Sequence, residues 1–118
     1  MRVIIISSSK VGNTLRKEED MDRADIAVIG TGPAGISAAI NARIRRKSFL
    51  LFGSSKLSAK IESSEQIVNY PAIDAISGPQ LNERFREQLV KLEIPIIDER
   101  ITGIYKMENY YLIMADQK

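Results

Sequence analysis

Apolar and polar positions follow two rhythms along this chain. Arg2–Ile6, Asp25–Ile29 and Ser48–Phe52 each carry an almost unbroken apolar run of strand length. Such runs suit strands covered on both faces. Between the last two, Ile36, Ile40 and Ile44 recur four apart among Ala38, Ala39 and Ala42. That period is helical, and the alanines permit close packing. A second helical period follows, with Leu81, Phe85, Leu89 and Leu92 on one face and Glu83, Arg84, Arg86 and Glu87 on a solvated one. Ser77 with Gln80 three residues on reads as its capping box. Ile94-Pro95-Ile96-Ile97 predicts a strand kept short by Pro95. Ile101–Met107 and Tyr110–Ala115 predict a hairpin joined at Glu108-Asn109. There Tyr105, Tyr110 and Tyr111 suit cross-strand packing better than stacking on a base.

The strand from Asp25 runs into Gly30-Thr31-Gly32-Pro33-Ala34-Gly35, and a helical pattern opens at once. Strand, Gly-x-Gly-x-x-Gly turn and helix together are the dinucleotide-binding fingerprint in its required context. Gly30 permits the sharp turn, Gly32 lets a pyrophosphate approach the backbone, and Gly35 lets helix and strand pack closely. Pro33 suits the first helical turn. The free N–H groups and positive end of the helix favour phosphate there. A strand, helix and strand this closely spaced predict a right-handed parallel unit.

The fingerprint is incomplete. An acid that holds the ribose is expected at the end of the second strand, about 20 residues beyond the glycines. The chain there reads Phe52-Gly53-Ser54-Ser55-Lys56. Either backbone and serine hydroxyls hold the ribose, or Ser54, Ser55 and Lys56 receive a 2′-phosphate and the ligand is NADP. Leu57–Ile67 gives no clear element, and Val68–Ala72 predicts an extended turn.

Composition narrows the chemistry. The 118 residues point to one domain, with a 1–23 segment of strand and charged connector ahead of a 24–118 nucleotide-binding unit. Ser7–Thr14 reads as connector rather than as a phosphate-cradling loop. With 44% hydrophobic and 27% charged residues, the balance is that of a globular protein. A net charge of +2 gives no case for nucleic acid. No apolar run reaches membrane-span length, and Val3–Ile6 is too short for a signal peptide, so a cytoplasmic setting is expected. Cys and His are both absent. That excludes a thiolate nucleophile, a histidine base and a cysteine or histidine metal site, leaving redox chemistry to a bound cofactor.

Four stretches together resemble the flavin-binding part of bacterial thioredoxin reductases, from about Ala24 to Gln117. They are Ile26–Gly35, the acid-free strand ending at Gly53, Val68-Asn69-Tyr70-Pro71, and Ile76-Ser77-Gly78-Pro79-Gln80-Leu81. The resemblance implies FAD, with Gly30, Thr31, Gly32, Pro33 and Ala34 along its pyrophosphate and Gly35 closing the turn. It places Gly53 and Ser54 near the adenosine ribose and Asn69 near the flavin or ribityl chain. Lys60 and Ile61 stand where that family has a Gly-Gly-Gln-Leu-like stretch, with both glycines lost. In the family, an inserted nicotinamide domain carries the redox cysteine pair, and a later segment completes the flavin domain.

The fold expected is therefore α/β and Rossmann-like, with a mainly parallel sheet and a small antiparallel hairpin excursion. The strand at Val3–Ile6 is expected to join the sheet. The function expected is that of an FAD-dependent, thioredoxin-reductase-like oxidoreductase with a thioredoxin-like partner, this chain alone being inactive and holding no catalytic residue. A non-catalytic nucleotide-binding module and an NADP-binding Rossmann domain are the alternatives. A homo-oligomer could hide the incomplete sheet edge.

Overall fold

The computed structural model describes residues 2–7 and 22–117. The reading of Ser7–Thr14 as connector, and most of the charged stretch after it, lie outside these residues. Seven strands and three helices follow in the order β1 (Arg2–Ser7), β2 (Asp22–Ala24), β3 (Ile26–Ile29), α1 (Pro33–Ile44), β4 (Phe49–Phe52), α2 (Ala59–Glu62), α3 (Gly78–Lys91), β5 (Ile96–Ile97), β6 (Glu99–Lys106) and β7 (Tyr110–Gln117) among the described residues.

The apolar runs become the parallel unit. β3 and β4 pair in parallel from Ile26 opposite Phe49 to Ile29 opposite Phe52. β5 then adds in parallel, Leu51 opposite Ile96 and Phe52 opposite Ile97. The sheet order β3-β4-β5 places β4 in the middle. α1 and α3 pack on this sheet through a core that joins Val28, Ile36, Ala39, Leu51, Leu81, Phe85 and Leu89.

The α1 stripe differs from the expectation. Ile36, Ala39 and Ala42 are buried, whereas Ile44 is 67% exposed. A step of four residues overshoots one 3.6-residue turn, so two such steps carry Ile44 round the helix and off the buried face. The basic cluster at this end has a structural use. Arg43 donates to the Glu93 carbonyl at 2.8 Å, and its guanidinium lies 5.1 Å from the centre of the Phe49 ring.

α3 opens on the capping box expected of it. Ser77 Oγ accepts from Gln80 N at 3.2 Å, and Gln80 Oε1 accepts from Ser77 N at 3.3 Å. The unassigned stretch before it forms α2, capped by Ser58, and an isolated bridge between Ile67 and Ile76. Tyr70 meets Phe85 edge-on with ring centres 5.9 Å apart, which ties the loop after that bridge to α3.

The hairpin β6–β7 forms with Met107 N donating to the Tyr110 carbonyl at 2.8 Å. It is larger than an excursion. The first strand joins it and not the β3-β4-β5 sheet: β1 pairs in parallel with β7 and antiparallel with β2, giving a second sheet ordered β2-β1-β7-β6. Val3, Ile5 and Ile113 from this sheet bury against Phe52 of β4. β1 thus supplies apolar surface that fastens the hairpin sheet to the nucleotide-type sheet.

Candidate functional site

The site is built where β3 and β4 end side by side. Gly30 leaves β3 with φ +122°, a backbone state that a side chain disfavours, and its N–H bonds to the Phe52 carbonyl at 2.7 Å. The chain turns through Thr31 to Gly32, the N-cap of α1, with Pro33 at the helix start. No side chain caps this helix, and its first turn carries no acid. The N–H groups that open a helix are therefore left to an outside acceptor, and the helix end favours an anion.

The three glycines divide the labour by geometry. A Cβ built on Gly30 or on Gly32 meets no atom within 4 Å, so the turn presents open backbone on that side. A Cβ on Gly35 would run into the Gly30 carbonyl. Gly35 thus fixes how closely α1 returns to the turn, while Gly30 and Gly32 leave room for a ligand.

A fourth glycine locks the turn to β4. A Cβ on Gly53 would stand 2.6 Å from Thr31 Cγ2 and 2.9 Å from Thr31 N. The two loops therefore touch through glycine. Thr31 is only 5% exposed, and its hydroxyl donates to the Ser54 carbonyl at 2.8 Å. Its side chain thus faces the protein and leaves only its backbone for a ligand. Gly53 N donates in turn to the Ile97 carbonyl of β5 at 3.2 Å. Lys56 N donates to Ser54 Oγ at 3.1 Å, and Leu57 N to the Ser54 carbonyl at 3.0 Å, so the loop after β4 is folded tightly.

The structure brings Gly30, Thr31, Gly32, Pro33, Ala34, Gly35, Gly53 and Ser54 into this one corner. The other expected site residues come from other elements. Lys60 is exposed and Ile61 half-buried in α2, where the Ile61 carbonyl approaches Gly78 so closely that a Cβ on Gly78 would collide with it. Asn69 is exposed in the loop before Tyr70. A depression of about 520 Å³ beside Ser54 is lined by Lys56, Leu57, Glu62 and Arg86. Behind its Glu62 wall lies Asn82, fully buried, whose amide donates to Glu62 Oε2 at 2.7 Å and to the Ser58 carbonyl at 3.1 Å.

One residue escaped the sequence reading. Asp98, just past β5, accepts through Oδ2 from Ser55 N at 3.0 Å and from Ser55 Oγ at 2.7 Å. The acid is expected along the chain after β4, whereas Asp98 follows the neighbouring strand β5. Only the pairing of Phe52 with Ile97 could have pointed to it.

Comparison with known proteins gives a consistent picture. No family model matches the chain. A thioredoxin reductase of Peptoclostridium litorale is 42% identical over 82 residues, covering 68% of this chain and 26% of that protein. A thioredoxin reductase of Ureaplasma parvum is 33% identical over 86 residues, 73% of this chain and 28% of its own length. Among solved structures, a ferredoxin-flavin thioredoxin reductase of Clostridium acetobutylicum superposes with a TM-score of 0.76 at 46% identity, over 78% of this chain and 32% of that one. The chain thus spans between a quarter and a third of the length of these proteins.

Proposed function

We propose, for a chain whose homologues are thioredoxin reductases and whose Rossmann-like fold is that of their FAD-binding part, that it binds FAD at the β3–α1 turn. On this reading residues 24–118 are the flavin-binding unit of a thioredoxin-reductase-like oxidoreductase, and β1 and β2 add strands to its hairpin sheet. The observation that carries the assignment is the asymmetry of the glycine turn. It is open at Gly30 and Gly32, packed at Gly35 and Gly53, and uncapped at the start of α1. A structural turn has no need for the open half; a bound pyrophosphate does.

Each residue then has a part. The backbone of Gly30, Thr31, Gly32, Pro33 and Ala34 lines the pyrophosphate, and Gly35 keeps the helix end aimed at it. Gly53 and Ser54 stand by the adenosine ribose. Asn69 reaches the ribityl or ring portion, with Lys60 and Ile61 at the rim. When bound, the flavin supplies the redox chemistry, and the protein orients it. The 118 residues contain neither Cys nor His, so the thiols of a disulfide-reducing centre and any histidine acid lie outside them. A nicotinamide donor and a thioredoxin-like acceptor belong to the whole oxidoreductase on this reading. No described helix is long and apolar enough to cross a membrane.

The test is an FAD titration of the purified chain, followed by flavin fluorescence, beside Gly32→Val. A Cβ on Gly32 meets no atom within 4 Å, so a side chain there points into the open approach to the backbone rather than into the protein. Saturable binding by the parent, lost in Gly32→Val while the chain still unfolds cooperatively within about 4 °C of the parent, is the expected result. Failure of the parent to bind FAD, or equal binding by both, would refute the assignment.

A further inference from the structure

The longest open strand edge belongs to β6. Among the described residues nothing pairs with its outer side, which ends the sheet order β2-β1-β7-β6. The other sheet ends, β2, β3 and β5, have three, four and two residues, whereas β6 has eight. An open edge of that length is a template for another strand. It also carries apolar surface, with Ile104 55% and Tyr105 54% exposed.

β6 contains one extra residue. Ile101 stands opposite Ala115 and Gly103 opposite Met114, so Thr102 is a bulge. Side chains alternate along β7, and the register sorts β6 accordingly. Glu99, Ile101, Ile104 and Lys106 share the face of Ile113, which packs with Phe52. Arg100, Gly103 and Tyr105 take the other face, where the Tyr105 ring lies back over Gly103. Met107 N bonds to the Tyr110 carbonyl, and bonded pairs alternate along an antiparallel ladder. The same four residues, Glu99, Ile101, Ile104 and Lys106, therefore turn their backbone groups to the open side.

Two copies of this edge fit each other. An antiparallel pairing about a twofold axis between Thr102 and Gly103 sets Ile101 opposite the partner's Ile104 and Arg100 opposite the partner's Tyr105. Glu99 then falls opposite the partner's Lys106, so like charges do not meet. In a regular strand this register fails, because it joins odd positions with even ones, which lie on opposite faces. The bulge shifts the alternation once between Ile101 and Ile104, and every pair then shares a face. Outward backbone groups also meet outward ones. The pairing covers exposed Ile104 with an isoleucine that already packs on the Val3, Ile5, Phe52 and Ile113 cluster. On the other face a guanidinium meets a tyrosine ring.

We propose that the outer edge of β6 is a homodimer surface, its occupant the same strand of a second copy in this register. The proposal does not use the glycine turn and stands apart from FAD binding. One strand edge is a small interface, so the dimer is transient, half-formed at about 10–100 µM, and dilute melting curves read the monomer.

The test combines sedimentation equilibrium of the full chain up to about 500 µM with directed cross-linking. Ile104→Lys replaces an exposed side chain, so it should melt within about 2 °C of the parent and raise the dimer dissociation constant at least about tenfold. The sequence has no Cys, so an introduced thiol is the only one in its chain. Directly opposed residues lie about 4.5–5.5 Å apart by Cα, within disulfide reach. Two copies of residue 100, or of residue 105, lie about 15 Å or more apart in the same dimer. A mixture of Arg100→Cys and Tyr105→Cys chains, oxidised with glutathione disulfide, should therefore cross-link at least about tenfold faster than either variant alone. A parent that stays monomeric, a dimer undiminished in Ile104→Lys, or a mixture that cross-links no faster than its components would each overturn the proposal. The mixture decides the matter even if Ile104→Lys fails to fold.

Discussion

Replacing Ile5 by alanine tests whether β1 is a structural member of this domain. Ile5 is 3% exposed and lies opposite Ile113 in the parallel β1–β7 pair. Its side chain belongs to the cluster with Val3, Ile113 and Phe52 that joins the two sheets. Truncating a buried isoleucine to alanine costs about 2–5 kcal/mol, from lost transfer free energy plus the cavity left behind. A cluster of only four buried residues can partly collapse, so we take about 3 kcal/mol. Unfolding entropy near 2.1 cal/mol/K per residue gives about 0.25 kcal/mol per degree for 118 residues. The melting temperature should therefore fall by about 12 °C. Ile104→Ala is the matched control: the same residue type in the same sheet, opposite Ile113 on β6 but 55% exposed. It should shift melting by about 2 °C or less. The assay is thermal unfolding followed by circular dichroism. Equal shifts for the two variants would show that β1 does not pack as described and would refute the reasoning.

Two further substitutions set competing terms against each other. Gly35→Ala gains up to about 1 kcal/mol of helix propensity but drives a Cβ into the Gly30 carbonyl, where backbone must give way. The clash should win, lowering stability by about 2 kcal/mol in urea unfolding and weakening FAD in the fluorescence titration. Asn82→Asp keeps the shape of a fully buried side chain but replaces the amide that donates to Glu62 with an acceptor. It should cost more than Asn82→Ala in the urea midpoint, by about 1 kcal/mol or more, because a buried carboxylate at residue 82 would then face the Glu62 carboxylate.

What the sequence reveals and what it hides divides along the chain itself. Everything set by near neighbours was legible: the β3 run, the glycine turn, the α1 start and the Ser77–Gln80 cap all rest on residues within five positions of one another. Ile44 was misplaced because a strict four-residue spacing is not a helical period over two turns. What depended on strand order was hidden. Nothing in Arg2–Ser7 says that it pairs with β7, and nothing after Phe52 says that a carboxylate will arrive from residue 98. Both facts follow from pairings between strands more than 40 residues apart, which no local pattern encodes.

Thr31 shows how the two halves of the site share one support. Its hydroxyl bonds to the Ser54 carbonyl at 2.8 Å, while Gly53 leaves room for its methyl group. Phe52, Gly53 and Ser54 are thus tied to the glycine turn by Gly30 N, by steric fit and by Thr31 Oγ1 in succession. Thr31→Val keeps the shape and deletes the last of these ties. The Ser54 carbonyl still accepts from Leu57 N at 3.0 Å, so no acceptor is orphaned. The stability cost is then one net hydrogen bond with a hydroxyl already removed, about 1 kcal/mol or about 4 °C. If the turn and the loop after β4 hold opposite ends of one ligand, loosening their link should weaken FAD by a factor of up to about ten. It should leave inorganic pyrophosphate, which needs the turn alone, bound as before. Equal weakening of FAD and pyrophosphate would mean that Thr31 serves only the turn, and that the two loops do not act on a common ligand.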